Sequence, residues 1–230
     1  MTVYVAFFHA HFHCNAISRY SCDPLMDVAR YVLSYMVFRL QPVICLLFSS
    51  MPAPSFHRPK CSYPLMFHIL ILLFTEGGLR VMMWLRGFQR LRVGPISYYY
   101  HPGKTNNRED GETDEVEIVP IVFCHGIGIG LIFYMTLVDE LLKLDRPLLL
   151  PEISYVSGFR PWQSPNCVLP PAAVSSCLMS ILACHGYARA AFLGHSYGSS
   201  WVSFMCKYSP RAVAAVLFLD PICFCLHCPR

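Results

Sequence analysis

Apolar and polar positions follow two alternating patterns along residues 116–220. Short apolar runs, which predict buried strands, occur at VEIVPIVFC, RPLLLPEI, RAAFLGH and AVAAVLFLD. Longer segments with helical spacing lie between them: GLIFYMTLVDELLKL, PPAAVSSCLMSILACHGY and YGSSWVSFMCKYS. Strands and helices that alternate with short connections form crossover units on a parallel sheet. The pattern therefore predicts an α/β fold, a mostly parallel sheet with flanking helices.

The chain divides into three predicted regions: residues 1–62, 63–92 and 93–230. The first is an N-terminal extension with a helical pattern from Pro24 to Phe48, followed by a proline-rich linker. Within the third region, ISYYYH alternates weakly and predicts an edge strand, and the polar stretch after it predicts a solvated loop. The compact domain is thus expected to follow an N-terminal helical extension.

Residues 63–92 combine an apolar stretch with a basic one. The unbroken apolar part ends at Phe74, short of the ~20 residues that cross a bilayer. Arginines then recur at helical spacing, which predicts an amphipathic helix on a membrane surface with Trp84 and Phe88 as anchors. The alternatives are a helix packed on the neighbouring domain and two short spans, at 31–48 and 64–85.

The composition favours a folded domain with free thiols and argues against a nucleic-acid-binding protein. With 55% hydrophobic and 14% charged residues, the chain can bury a core. A net charge of +4 without a recognition motif argues against a nucleic-acid partner. Of the twelve cysteines, Cys124, Cys184 and Cys206 fall inside apolar runs, which favours free thiols and an intracellular location over secretion.

Two clusters of metal-ligating residue types invite a zinc interpretation. His9, His11 and His13 alternate near the N-terminus, and CFCLHC lies at 223–228. Zinc sites draw on separated pairs of ligands, which neither cluster offers. We therefore predict a histidine-rich terminus, an apolar tail, and neither a metal nor another cofactor.

The motif GHSYG, at 194–198, lies between a predicted strand and a predicted helix. That context is typical of the G-x-S-x-G nucleophile elbow, in which a serine occupies a strained turn and small residues flank it. Ser196 is the predicted nucleophile. An incidental serine in a glycine-rich turn is the alternative.

A second glycine-rich turn, HGIGIG, follows an earlier strand directly. Backbone N–H groups in such a turn can stabilise the oxyanion of a tetrahedral intermediate. We assign the N–H groups of Ile127 and Tyr197 to this oxyanion hole, with His125 bracing the loop. Phosphate binding is the alternative, but no Lys-Ser/Thr pair follows the glycines.

HGIGIG, GHSYG and LFLDP together resemble the α/β-hydrolase superfamily over about residues 93–230. The longer matches ISYYYHPG, LLLPEISYVSGFRPW and FLDPICF are similar to a group of fungal and algal members that carry an N-terminal helical extension. The resemblance implies a partial α/β-hydrolase fold and a serine hydrolase acting on a small-molecule or lipid ester.

The catalytic acid and base are where this sequence departs from the family. The resemblance implies a histidine after the last strand, so the chain reads as C-terminally truncated. His195 lies within the elbow and His185 on the opposite sheet edge. Only His227 is on the correct edge, and Asp220 is a candidate acid that also reads as a structural strand-end residue.

Three hypotheses follow from this incomplete triad. The first is a serine esterase that is inactive without its C-terminal histidine. The second is a catalytically dead binding or membrane-associated protein that keeps the fold. The third is an unstable chain whose sheet has a bare apolar edge after the strand at 212–220, which would aggregate.

Overall fold

A computed structural model describes residues 2–6, 65–103, 119–128, 130–157 and 168–223. The chain divides into two compact units, residues 13–71 and the remainder. The strands are β1 (Thr2–Ala6), β2 (Gln89–Val93), β3 (Ile96–His101), β4 (Ile121–Cys124), β5 (Leu148–Pro151), β6 (Ala190–His195) and β7 (Val213–Leu219). The helices are α1 (Leu65–Leu72), α2 (Leu79–Leu85), α3 (Met135–Leu142), α4 (Pro171–Cys184) and α5 (Gly198–Tyr208).

The strands form one seven-stranded sheet in the order β1-β7-β6-β4-β5-β3-β2. β3 pairs antiparallel with β2 and β5, and all other pairs are parallel. All residues of β4 and β5 are buried, as expected for strands covered on both faces. The prediction of an α/β fold with a mostly parallel sheet and flanking helices is confirmed.

The helix predicted through residue 92 ends earlier. α2 stops at Leu85 because Gly87 adopts φ +79°, a left-handed conformation that suits glycine. The Gly87 and Phe88 N–H groups donate to the Trp84 and Met83 carbonyls, at 2.9 and 3.0 Å, which is the Schellman pattern. The chain then reverses into β2, which forms this edge of the sheet, so the prediction of ISYYYH as an edge strand is wrong.

Sequence reasoning did not anticipate β1. Thr2–Ala6 pairs in parallel with Ala215–Leu219 and covers the free side of β7. The expectation of a bare apolar edge beyond residues 212–220 is therefore wrong for this structure.

The segment proposed for membrane contact has one buried and one exposed face. Phe88 is buried, with its ring centroid 5.3 Å from that of His101, so its prediction as an anchor is wrong. Trp84 is 72% exposed. None of the described helices is long and apolar enough to span a bilayer.

Several predictions lie outside the described residues. They concern the histidines of the N-terminus, the helical pattern at 24–48, the polar loop PGKTNNREDGETDE beyond its first two residues, the start of VEIVPIVFC and most of the CFCLHC stretch. His227 lies outside them as well.

Candidate active site

Ser196 lies at the turn between β6 and α5, where the parallel strands end. Its φ is +48°, a conformation that costs a non-glycine residue roughly 1–3 kcal/mol. Its N–H donates to the Leu219 carbonyl, at 3.0 Å, which ties the turn to the end of β7. The predicted nucleophile thus occupies the strained strand-to-helix position that the elbow motif requires.

The first and last positions of the motif require glycine because their neighbours leave no room for a Cβ atom. A Cβ on Gly194 would lie 2.8 Å from Val202 Cγ2, and one on Gly198 would overlap the Cys124 carbonyl oxygen. These contacts press α5 onto β6 and β4. The N-terminus of this helix then points at Ser196, where its dipole favours negative charge.

The HGIGIG loop meets the elbow through Gly126. A Cβ on Gly126 would lie 3.0 Å from Ser196 Cβ and 2.9 Å from His195 Nδ1, so only a glycine allows this approach. Within the described part of the chain, neither the Ile127 N–H nor the Tyr197 N–H has a hydrogen-bond acceptor. An oxyanion hole requires backbone N–H groups that are not engaged elsewhere, and the catalytic role of these two stays a prediction.

His125 braces this loop from beneath. The ring is fully buried, and its Nε2 accepts the Ile153 N–H at 2.9 Å. Nδ1 lies 2.8 Å from the Gly126 carbonyl oxygen, to which it can donate only as the Nδ1–H tautomer. With both nitrogens engaged, His125 suits the structural role predicted for it.

Tyr134, from the 3₁₀ turn Gly130–Tyr134, joins the loop to the elbow. Its hydroxyl accepts the Gly126 N–H at 3.0 Å and lies 2.8 Å from His195 Nδ1. Since the glycine occupies one lone pair, the tyrosine proton can point to the imidazole. One side chain thus fixes the distance between the two halves of the site.

Burial makes His195 a poor general base. Burial, and to a smaller extent nearby His125, lowers the pKa of the imidazole to about 4. A general base works best with a pKa near the operating pH. Burial also raises the pKa of Tyr134 to about 12, so its hydroxyl stays protonated.

A second tyrosine anchors the opposite side of the elbow. Tyr155, in the 3₁₀ turn Ser154–Val156, accepts hydrogen bonds from Trp201 Nε1 at 2.9 Å and from the Tyr197 hydroxyl at 3.3 Å. Trp201 is a buried residue of α5 itself. The side chain of Tyr197, the residue after Ser196, is therefore tied to the same tyrosine as α5.

The described residues do not bring a histidine to the nucleophile. No hydrogen bond in them reaches the Ser196 hydroxyl, and His185 stacks on Tyr100 with ring centroids 3.7 Å apart. Asp220 follows Leu219, which is in register with His195. Asp220 is thus a close neighbour of Ser196 in the sheet, and its assignment as the acid stays a prediction.

Counted from β2, the glycine loop follows the third strand (β4) and the turn with Ser196 follows the fifth (β6). In the α/β-hydrolase fold the oxyanion loop likewise follows the third strand. The domain has an α/β-hydrolase fold. It is the architecture that the sequence motifs of residues 93–230 predicted.

The chain is similar to solved structures of low sequence identity. No family model and no curated protein sequence matches the chain. Similar solved structures include an α/β-hydrolase from the sediment metagenome of the Mar Chica lagoon, Morocco (20% identity, 58% of this chain, 52% of that one, TM-score 0.40). Another is a protein assigned as an epoxide hydrolase from Pseudomonas aeruginosa (18% identity, 58% and 41%, TM-score 0.45). A third is a bacterial membrane phospholipase A (13% identity, 84% and 52%, TM-score 0.46).

The chain spans about half the length of these α/β-hydrolase structures. What each of them acts on is a property of that protein. The activity of this chain is therefore argued from its own residues.

Sequence reasoning missed the two tyrosines of this candidate site. Tyr134 and Tyr155 lie in segments read as a helix and as a loop, without a motif that marks either. Only the tertiary contacts show that Tyr134 links Gly126 to His195.

Proposed function

We propose that the chain carries the nucleophile half of a serine hydrolase that cleaves carboxylic esters. The observation that carries the proposal is the left-handed Ser196, flanked by sterically required glycines and met by the Gly126 loop. A strained serine beside unengaged backbone donors is the arrangement that acyl transfer needs.

The reaction begins when Ser196 Oγ attacks the ester carbonyl carbon. The Ile127 and Tyr197 N–H groups stabilise the oxyanion that forms, and its collapse expels the alcohol and leaves an acyl-enzyme. A base takes the serine proton and returns it to the departing alkoxide; water then releases the acid. Within this sequence the candidate base is His227 and the candidate acid is Asp220.

The proposed substrate is a small-molecule or lipid ester, and contact of residues 63–92 with a membrane surface is part of the proposal. The exposed apolar side chains of α2 support it, because they would bring the domain to a lipid phase. The proposal includes neither a cofactor nor a nucleic acid.

A second candidate function is a binding protein that keeps the fold without catalysis. It is favoured by the lack of a histidine at the Ser196 hydroxyl among the residues that the structure describes. Loss of the base removes most of the catalytic rate of a serine hydrolase, although the oxyanion hole alone still supports a low rate.

A fluorophosphonate probe that labels activated serines distinguishes these functions. We expect the purified 230-residue chain to be labelled and Ser196→Ala not to be. Ser176→Ala, at an exposed serine of α4, is the matched control and should be labelled like the wild type.

The outcome with His227→Ala then assigns the base. Loss of labelling in this variant, with an unchanged circular dichroism spectrum, supports His227. A folded, monomeric wild-type chain that stays unlabelled contradicts the hydrolase proposal for this chain and favours the binding protein.

A further inference from the structure

One side of the helical segment 73–85 is an exposed apolar surface, which we call the outer face. It is formed by side chains that are all more than half exposed: Leu73, Phe74, Val81, Trp84 and Leu85. Their spacing places them on one side of the segment. The opposite side is covered, since Leu79 and Met83 are buried against the domain.

The segment is held in this orientation by contacts on its covered side. Arg86 donates from Nε and from one terminal nitrogen to the two carboxylate oxygens of Asp139, at 2.5 and 3.0 Å. Gly78 lies so close to the 3₁₀ turn Gly130–Tyr134 that a Cβ on it would be 3.9 Å from Ile132 Cδ1. Because the covered side is fixed in this way, the outer face cannot turn inward without breaking the ion pair.

A helix that packs on a domain in water normally has a polar outer side. Here Trp84 is 72% exposed and Leu85 69%, and the other outer-face residues continue the same surface. A contiguous apolar surface of this kind marks a contact with a protein or a membrane.

The charges around the outer face select a bilayer with anionic lipids. The side chain of Arg80 is 56% exposed, whereas its partner Glu76, 3.7 Å away, is only 12% exposed. Arg90 is partly exposed and Arg92 is exposed on β2, directly after the helix. Apart from Asp139, whose side chain is 44% exposed and paired with Arg86 on the covered side, the solvent-facing charge of this region is therefore positive. Trp84 beside Arg80 is a pairing suited to the headgroup zone.

We propose that the outer face is a docking surface for an anionic bilayer, with the segment lying in the interface plane and not spanning it. This inference rests on the membrane contact proposed above and not on the chemistry of Ser196. Docking would hold the nearby turn Gly130–Tyr134, and with it the Tyr134 contact to the oxyanion loop, close to the lipid surface.

Flotation of the full chain with vesicles tests the proposal. We expect the chain to float with phosphatidylcholine–phosphatidylserine vesicles and at least tenfold less with pure phosphatidylcholine. The double variant Trp84→Gln/Leu85→Gln should reduce flotation with the mixed vesicles at least tenfold. Val168→Gln, at a residue 58% exposed on another surface, is the matched control and should float like the wild type.

A fluorescence measurement places Trp84 in the interface. Brominated lipids in the vesicles should quench the wild-type emission, and Trp84→Phe should still float but lose most of the quenching. Ser196→Ala should float normally, so that loss of probe labelling and loss of docking are separate results.

Two results would overturn the proposal. One is equal flotation of the wild type and the outer-face variant. The other is a wild-type chain that stays with the lipid-free fraction but forms a dimer that the same double variant disperses, because the outer face would then join two copies of the chain.

Discussion

At the scale of single residues, the elbow depends on two positions that lack a Cβ atom. Gly194 and Gly198 let two secondary elements approach so closely that even a methyl group at either position meets backbone or Val202. Ser196 is then strained because the helix must begin directly after the strand. The packing of its neighbours thus holds the predicted nucleophile, which is half-buried, at the tip of the turn.

Gly198→Ala should therefore destabilise the domain strongly. The added Cβ overlaps the Cys124 carbonyl oxygen, and separating α5 from β4 should cost more than ~3 kcal/mol. Urea denaturation followed by circular dichroism measures the change. Gly77→Ala is the control, since a Cβ there has open space and should change the stability by less than ~1 kcal/mol. Equal stability of the two variants would contradict the steric explanation.

Tyr134→Phe tests the bridge between the loop and the elbow. It removes one hydroxyl and leaves the Gly126 N–H and His195 Nδ1 without that partner, which should cost ~2 kcal/mol. Labelling of Ser196 by the fluorophosphonate probe should also become slower, because the oxyanion donors are less well positioned.

Tyr208→Phe is the matched control for that experiment. Tyr208 is 46% exposed, so the same chemical change should alter the stability by less than ~0.5 kcal/mol. If Tyr134→Phe behaves like this control in both measurements, the hydroxyl does not hold the site together.

At the scale of elements, β1 completes the sheet from the far end of the sequence. Its parallel pairing with β7 satisfies backbone groups that would otherwise form an exposed apolar edge. The strand is five residues long, which limits it to a short backbone ladder. The edge is consequently protected by a weakly anchored element.

Deletion of residues 2–6 should expose that edge selectively. Amide groups along a strand point alternately to its two neighbours, so every second amide of β7 should exchange with solvent faster in the deletion variant. The amides facing β6 should keep their protection, as should those of β4. Hydrogen exchange measured by NMR reads this pattern, and aggregation should increase. If the amides of β7 exchange at the same rates in the wild type and in the deletion variant, β1 does not pair with β7.

At the scale of the whole molecule, His195 links stability to pH. Its pKa is about 4 in the folded protein, because of burial, and near 6.5 when unfolded. Between these values the unfolded chain binds more protons, so stability should fall as the pH drops from about 6.5 to about 4. The loss attributable to this group should reach at most about 3 kcal/mol.

His195→Asn tests this linkage, since the asparagine oxygen can still accept the Tyr134 proton. Urea midpoints measured across this pH range should fall less steeply in the variant than in the wild type. Some slope should remain, because burial also lowers the pKa of His101 and His185. Identical slopes would exclude His195 as a source.

The sequence predicted what local patterns determine and missed what distant contacts determine. GHSYG predicted the turn at Ser196 because the need for glycine on both sides of the serine is visible in the motif itself. The apolar runs predicted β4 to β7 because the burial of a strand is visible in its own residues. The end of α2 was missed because helical spacing continues past Gly87, whose conformation stops it. β1 and the Tyr134 bridge could not be predicted, since each depends on partners far away along the chain.

The pairing of β1 with β7 also has a consequence for biosynthesis. Thr2 meets Ala215, so β1 leaves the ribosome roughly 10 to 40 s before its partner is translated, at about 5–20 residues per second. During that delay the nascent N-terminus has no native neighbour in the sheet. The pairing of β1 with β7 can thus form only after the residues between them have been translated.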